Sequence, residues 1–241
     1  MNWRCIVIAI EIIIICLLLV RSNKIEGYNQ ENIQSDFPNL YYINLKSRKD
    51  RKKHIDEQLE KINYPLDKIE RINAVKKEDG LLGCIQSHIE ALKKGLESKD
   101  KFIIIIEDDL TWKFDKEKTN DILNKCLNTD TEWNVILLAV NGNTEYHNEY
   151  LNKVINSQTT SGYIIKKEYI PILLNLWETK MEERLIKGKD SSLYEENKDT
   201  TVIDQCWKIL QNDKWYATNP VLGYQMESYS DIQKGVKNYR V

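Results

Sequence analysis

Residues 102–109 read Phe-Ile-Ile-Ile-Ile-Glu-Asp-Asp, and this stretch limits the possible folds more than any other part of the chain. A run of β-branched and aromatic residues without polar alternation suits a strand buried on both faces, as inside a parallel sheet. The run closes on three adjacent carboxylates, Glu107, Asp108 and Asp109. Like charges set so close repel one another, and folding alone gains nothing from them. A hard divalent cation such as Mg2+ or Mn2+ reverses that balance, because it prefers oxygen ligands. Open α/β sheets also bind ligands just beyond the carboxyl ends of their strands. The plainer alternative is a solvated acidic turn after a core strand.

The surrounding pattern alternates strands and helices. A strand at 40–45 precedes a helix at 50–62, whose Ile55, Leu59 and Ile62 form one stripe. A strand at 69–75 and a turn at Asp79-Gly80 lead to a helix at 82–96, and the acid-tipped strand follows. Beyond it the spacing predicts a helix at 116–127, a strand at 135–139 and a loop at 141–148. A strand opened by Gly162 comes next, then a helix at 168–186 with Pro171 in its first turn. A charged loop at 188–199, a short helix at 201–211 capped by Thr200, a strand at 214–218 and an irregular tail complete the chain. The alternation implies an α/β fold: a Rossmann-like, mainly parallel sheet with helices on both faces.

Ahead of this domain lies an apolar run. Residues 5–20 are almost all Ile, Val and Leu, broken by Glu11 and flanked by Arg4 and Arg21. As a helix they span ~24 Å, short against a ~30 Å hydrocarbon core but workable in thinner membranes. A central charge costs ~3 kcal/mol while a dozen aliphatic residues return ~4–7 kcal/mol, so insertion is favoured. The rival is a cleaved signal peptide, but no small-x-small cleavage site follows. The expected layout is therefore one N-terminal transmembrane helix or uncleaved signal at 1–21, a polar linker at 22–39 and a catalytic domain at 40–241. The 35 basic and 37 acidic residues leave a net charge of -2, which argues against nucleic acid as a partner. Cys5, Cys16, Cys84, Cys126 and Cys206 contain no Cys-x-x-Cys pair, so neither a zinc site nor a redox motif is indicated.

Two further stretches carry candidate chemistry. The turn from Asn44 and Leu45 to Arg51 joins the first strand to the first helix, where doubly wound sheets commonly touch a nucleotide. Arg48 and Arg51 could fork onto a diphosphate, or could simply be a solvated basic helix start. No dinucleotide glycine fingerprint or Walker loop is present, against NAD or FAD. In Gly83-Cys84-Ile85-Gln86-Ser87-His88 the glycine permits close approach of a ligand. A lone His such as His88 is more often a hydrogen-bonded structural residue than a ligand.

Several segments belong together in order and spacing: Tyr42-Ile43-Asn44-Leu45 with Arg48, Asp50 and Arg51; Gly83-Cys84 with Ser87-His88; and Ile106-Glu107-Asp108-Asp109. Ser161-Gly162-Tyr163-Ile164-Ile165 and the stretch from Asn219-Pro220-Val221 through Ser230-Asp231-Ile232 continue the series. Together they resemble glycosyltransferase family 25, which includes bacterial lipopolysaccharide glycosyltransferases and procollagen galactosyltransferases. The resemblance implies a GT-A type fold, a UDP-sugar donor and inversion at the anomeric carbon. It also implies an Asp-x-Asp-like motif in which Glu107 and Asp109 hold Mn2+ or Mg2+. Asn44, Leu45, Arg48, Arg51, Gly83, Ser87, His88, Asp108 and Gly162 would then line the donor, with Asp108 at ribose or sugar hydroxyls. An inverting transfer needs a base, for which Asp204 is the first choice and Asp231 the alternative. A first-turn Asp favoured by the helix dipole would explain Asp204 equally well. The implied acceptor is a glycan or hydroxylysine in a collagen-like chain, and the leader suits a single-pass protein with a lumenal domain of ER or Golgi type. A metal-dependent phosphohydrolase and a non-catalytic, membrane-tethered sugar-binding module are the competing readings.

Overall fold

The computed structural model describes residues 37–187, 200–230 and 235–237. The expected anchor at 1–21, the linker up to residue 36, the loop at 188–199 and Asp231 lie outside the described residues. Among the described residues no helix is long and apolar enough to cross a membrane.

The first half follows the sequence pattern closely. Strand β1 (Leu40–Asn44) leads to helix α1 (Lys49–Lys61), and β2 (Ile69–Asn73) to α2 (Gly80–Glu97). Asp79 is the N-cap of α2, its side chain accepting from the Leu81 N–H at 3.1 Å, so the expected turn is a helix start. β3 (Phe102–Glu107) ends at the first acid, which puts Asp108 and Asp109 in a two-residue turn before β4 (Leu110–Trp112). Helix α3 (Lys116–Leu127) and β5 (Val135–Leu137) form where expected.

The expected loop at 141–148 contains a strand, β6 (Gly142–Tyr146), which pairs antiparallel with β7 (Leu151–Ser157). β6 carries almost no buried side chain, so its pairing rests on the backbone and leaves no hydrophobic signature. β8 (Gly162–Lys166), α4 (Ile170–Lys187) and α5 (Ile203–Cys206) follow, then β9 (Trp215–Thr218). The helix expected at 201–211 is one short α-turn continued as 3-10 helix at Trp207–Leu210. Its N-cap is Val202 rather than Thr200, and no side chain caps it. The tail is not irregular: β10 (Gly223–Gln225) pairs with β4, and β11 (Ser228–Ser230) with β12 (Gly235–Lys237).

Eight strands form one sheet in the order β2-β1-β3-β8-β5-β9-β7-β6. β8 runs antiparallel to both its neighbours, and β7 is antiparallel to β9 and β6. The other six strands share one direction, so the sheet is mixed with a parallel majority. Strand alternation sends Tyr41, Ile43, Ile103, Ile105, Tyr163 and Trp215 into one core beneath α2, α4 and α5. The opposite face is covered in part by α1, where the Lys52 ammonium lies over the Tyr42 ring at 5.8 Å. β1 is buried at every position, as a strand covered on both faces requires.

Candidate active site

From β1 the chain moves outward to β2, then crosses to the other side of β1 to form β3. The direction of winding therefore reverses between β1 and β3, and a crevice opens beyond their carboxyl ends at such a point. Asn44 ends β1 and Glu107 ends β3, so the triple-acid tip stands at this reversal.

Alternation parts the three acids. Ile43 and Glu107 are register partners and face the core beneath α2. There Glu107 Oε1 accepts from the Thr160 hydroxyl at 2.7 Å and lies 3.3 Å from His88 Nε2. His88 Nε2 lies off hydrogen-bonding geometry at that contact and is buried without a hydrogen-bond partner. Burial drives the Glu107 carboxyl up, but His88, Thr160 and the Arg51 charge together outweigh it and hold it below its ordinary value. His88 itself is buried, with Nδ1 3.1 Å from the Tyr163 hydroxyl, and its ring packs edge-on against Trp177.

Asp108 turns to the opposite face. Its Oδ2 accepts from Asn44 Nδ2 at 2.6 Å, and its Oδ1 accepts from Arg51 Nη1 at 3.0 Å. Asp109 is 1% exposed. Its Oδ2 pairs with the same Arg51 nitrogen at 2.9 Å and accepts from Gln225 Nε2 at 3.1 Å. Its Oδ1 is buried without a hydrogen-bond partner. Burial first, then the Glu107 charge, pushes the Asp109 carboxyl up to about 7 despite Arg51. Asp108 is also raised, chiefly by burial.

The remaining candidates divide. Asn44 and Arg51 join the acids directly. Arg48 instead forks onto Asp50, at 3.0 and 2.7 Å, and holds that carboxyl down to about 2. Leu45 closes the β1–α1 turn, its carbonyl accepting from the Arg48 N–H. The Ser87 hydroxyl donates to the Gly83 carbonyl and accepts from the Val75 N–H, locking α2 to the end of β2. A Cβ on Gly83 would sit 2.4 Å from the Val75 carbonyl oxygen, so the close approach there is made by the protein's own backbone. At Gly162 a Cβ would meet the Leu110 and Leu138 side chains at 3.2–3.3 Å.

Asp204 lies in the first turn of α5. Burial, then the Glu107 charge, pushes it up to about 6, so the two carboxylates are within electrostatic reach of one another. Cys84 lies among them: burial and the charges of Glu107, Asp204 and Asp109 all raise its thiol. Thr160, Tyr163 and Gln225 escaped the sequence reading as partners of these residues. Gln225 belongs to the tail expected to be irregular, and Thr160 lies outside the strand that begins at Gly162, where no periodicity marks it. A cavity of about 700 Å3 opens beside the start of α2, lined by Lys77, Glu78, Asp79, Leu82 and Leu185 and not by the acids. The acid cluster is identified instead by its convergent charged groups and its place at the sheet reversal.

No family model matches the sequence, and no curated protein matches it. Two glycosyltransferases are among the solved structures that resemble the fold. A glycosyltransferase involved in glycosylation of the major capsid of PBCV-1 aligns over 82% of this chain and 97% of its own, with TM-score 0.44 and 9% identity. The glycosyltransferase GlyE of Streptococcus pneumoniae TIGR4 aligns over 75% of this chain and 45% of its own, with TM-score 0.40 and 9% identity. At TM-scores below 0.5 neither likeness bears on what this chain does.

Among the described residues no group of three or more His, Cys, Asp and Glu is arranged to hold a metal ion. A closed, all-protein cage is thus not formed there. The chemistry of the tip still fits a hard cation completed by phosphate oxygens and water, which needs only one or two carboxylates. The buried Asp109 Oδ1, lacking any hydrogen-bond partner, is the atom that such an ion would satisfy.

Proposed function

We propose that this chain is an inverting, metal-dependent glycosyltransferase of the family 25 type. It moves a hexose, galactose or glucose, from a UDP-sugar to a hydroxyl of a glycan or of hydroxylysine in a collagen-like protein. The observation that carries this reading is the convergence of Asn44, Arg51, Asp108 and Asp109 at the sheet reversal, with Asp204 in electrostatic reach of Glu107. One residue set there offers carboxylates for a cation, a guanidinium for phosphate and a separate carboxylate for a proton.

Asp109, with Glu107 second, would hold Mn2+ or Mg2+. Once bound, the ion acts as a Lewis acid that neutralises the departing diphosphate. Arg51 supplies a fixed positive charge and paired N–H donors to the same diphosphate. Asp108, held by Asn44, would meet the ribose or sugar hydroxyls of the donor. The acceptor oxygen attacks the anomeric carbon opposite the diphosphate, and the C–O bond to phosphate breaks with its electron pair leaving on UDP. The acceptor proton passes to Asp204, whose value near 6 leaves it ionised at neutral pH. The leader at 1–21 would tether the domain to a membrane, with the catalytic side lumenal.

The test is a donor screen with Mn2+: UDP-galactose against UDP-glucose and UDP-N-acetylhexosamines, offered hydroxylysine peptides and lipopolysaccharide core oligosaccharides. Transfer of one hexose with inverted configuration, lost by at least about 100-fold in Asp109→Asn, is expected. Cleavage of simple phosphate esters without transfer would turn the assignment to a phosphohydrolase. Transfer indifferent to Asp109 would overturn the metal site.

A further inference from the structure

The guanidinium at the acidic tip occupies a position that two ligands of the proposed reaction would both contest. Arg51 Nη1 stands 3.0 Å from Asp108 Oδ1 and 2.9 Å from Asp109 Oδ2, so one nitrogen bridges two buried carboxylates. The partner oxygen of Asp109 is the one without a hydrogen bond. A divalent cation seated on that oxygen would sit a few ångströms from a charge that no accessible pH removes, in surroundings that screen poorly. The planar fork of Arg51 is also the group best shaped for a diphosphate.

Neither acid is stranded if Arg51 leaves. Asp108 keeps the 2.6 Å bond from Asn44, and Asp109 keeps the 3.1 Å bond from Gln225. Two neutral amides thus hold the carboxylates in place while their counter-ion changes.

On the glycosyltransferase reading, we infer that Arg51 is an exchangeable counter-ion. It pairs with Asp108 and Asp109 in the donor-free protein and moves to the diphosphate as the divalent cation seats on Asp109. Metal and nucleotide binding are therefore mutually dependent, since each removes what opposes the other. Thermodynamic linkage makes the effect reciprocal: UDP tightens Mn2+ by the factor by which Mn2+ tightens UDP.

The experiment counts free Mn2+ by electron paramagnetic resonance during titration of the full chain, with and without saturating UDP. Wild type should bind Mn2+ weakly alone and at least about tenfold more tightly with UDP, within the usual range of site-to-site coupling. Arg51→Gln should bind Mn2+ alone about tenfold more tightly than wild type, with a gain from UDP several-fold smaller than that of wild type. Arg51→Lys keeps the charge without the fork. It should bind Mn2+ alone as weakly as wild type yet lose most of the gain from UDP, and it serves if the glutamine variant does not fold. Arg51→Gln with unchanged or weaker Mn2+ affinity, or Arg51→Lys with full coupling, overturns the exchange while leaving the glycosyltransferase reading intact. Wild type that binds no Mn2+ even with UDP overturns both.

Discussion

Asp204→Asn should make the protein more stable at neutral pH while removing its activity. Burial, then the charge of Glu107, raises the Asp204 carboxyl from 3.8 to about 6, against smaller opposing effects of Lys208 and a 3.4 Å contact from Gln205. Below pH 3.8 the group is protonated in both folded and unfolded chains, and it contributes nothing to the pH dependence. Between that value and about 6 the unfolded chain gives up its proton while the folded chain keeps it, so stability falls as pH rises. Above about 6 the loss is complete and constant. A shift of roughly two units at 1.36 kcal/mol each amounts to ~3 kcal/mol, an upper figure because Asp204 is only partly buried.

Asparagine keeps the shape without the charge. Urea unfolding of both proteins, free of metal and nucleotide, should therefore coincide near pH 4 and separate to ~2–3 kcal/mol in the variant's favour by pH 7. In a Glu107→Gln background the separation should shrink, because one of the two charges is gone. The transferase activity of wild type should rise with pH through about 6 as the base ionises. Asp204→Asn should lower kcat by about 10²–10⁴ with UDP affinity unchanged. Unfolding curves that stay parallel from pH 4 to 7 would refute the account of Asp204 as a carboxylate held ionised against its surroundings.

Other substitutions test the supports of the site. Arg184, 4% exposed, donates from Nε to Asp79 at 2.6 Å and from Nη1 to the Thr201 hydroxyl at 3.0 Å, tying the start of α2 to the segment before α5. Arg184→Ala removes the guanidinium from a half-buried carboxylate that keeps its Leu81 bond and should cost ~1.5–3 kcal/mol by urea unfolding; a loss under ~1 kcal/mol would show the pair to be solvated. Gly83→Ala meets the Val75 backbone oxygen and should cost ~1–3 kcal/mol. Gly162→Ala meets only side chains at 3.2–3.3 Å and should cost less than Gly83→Ala, the order being read from paired thermal melts. Chelation of divalent ions should abolish transfer without lowering the melting temperature of the nucleotide-free protein, because Arg51 already pairs with two acids of the tip.

What the sequence made legible was whatever burial writes into it. A tetra-isoleucine strand can only be a central strand, and the 3.6-residue stripe of α2 can only face it, so the first half of the sheet followed from pattern alone. Strand direction was not legible. β8, with four of five positions buried, reads alike whichever way it runs, and its reversal comes from the path of the chain through β6 and β7. β6 left no trace because its side chains are mostly exposed, and its order rests on main-chain bonds common to all sequences.

The acidic tip shows the same limit at the scale of single atoms. The three adjacent acids, with the Asp-x-Asp-like pattern that the family resemblance implies, set Glu107 and Asp109 as partners on one metal ion. The strand stops at Glu107, however, and the turn carries Asp109 round toward Arg51 and Gln225 while Glu107 stays against Thr160 and His88. Likewise Arg48 and Arg51 looked equivalent as diphosphate forks, yet one helix turn separates a half-buried guanidinium spent on Asp50 from one shared by two buried acids. Residue type and spacing established which charges the site contains; the ends of β1 and β3 decide which of them meet. A cation drawn to Asp109 must therefore contend first with Arg51.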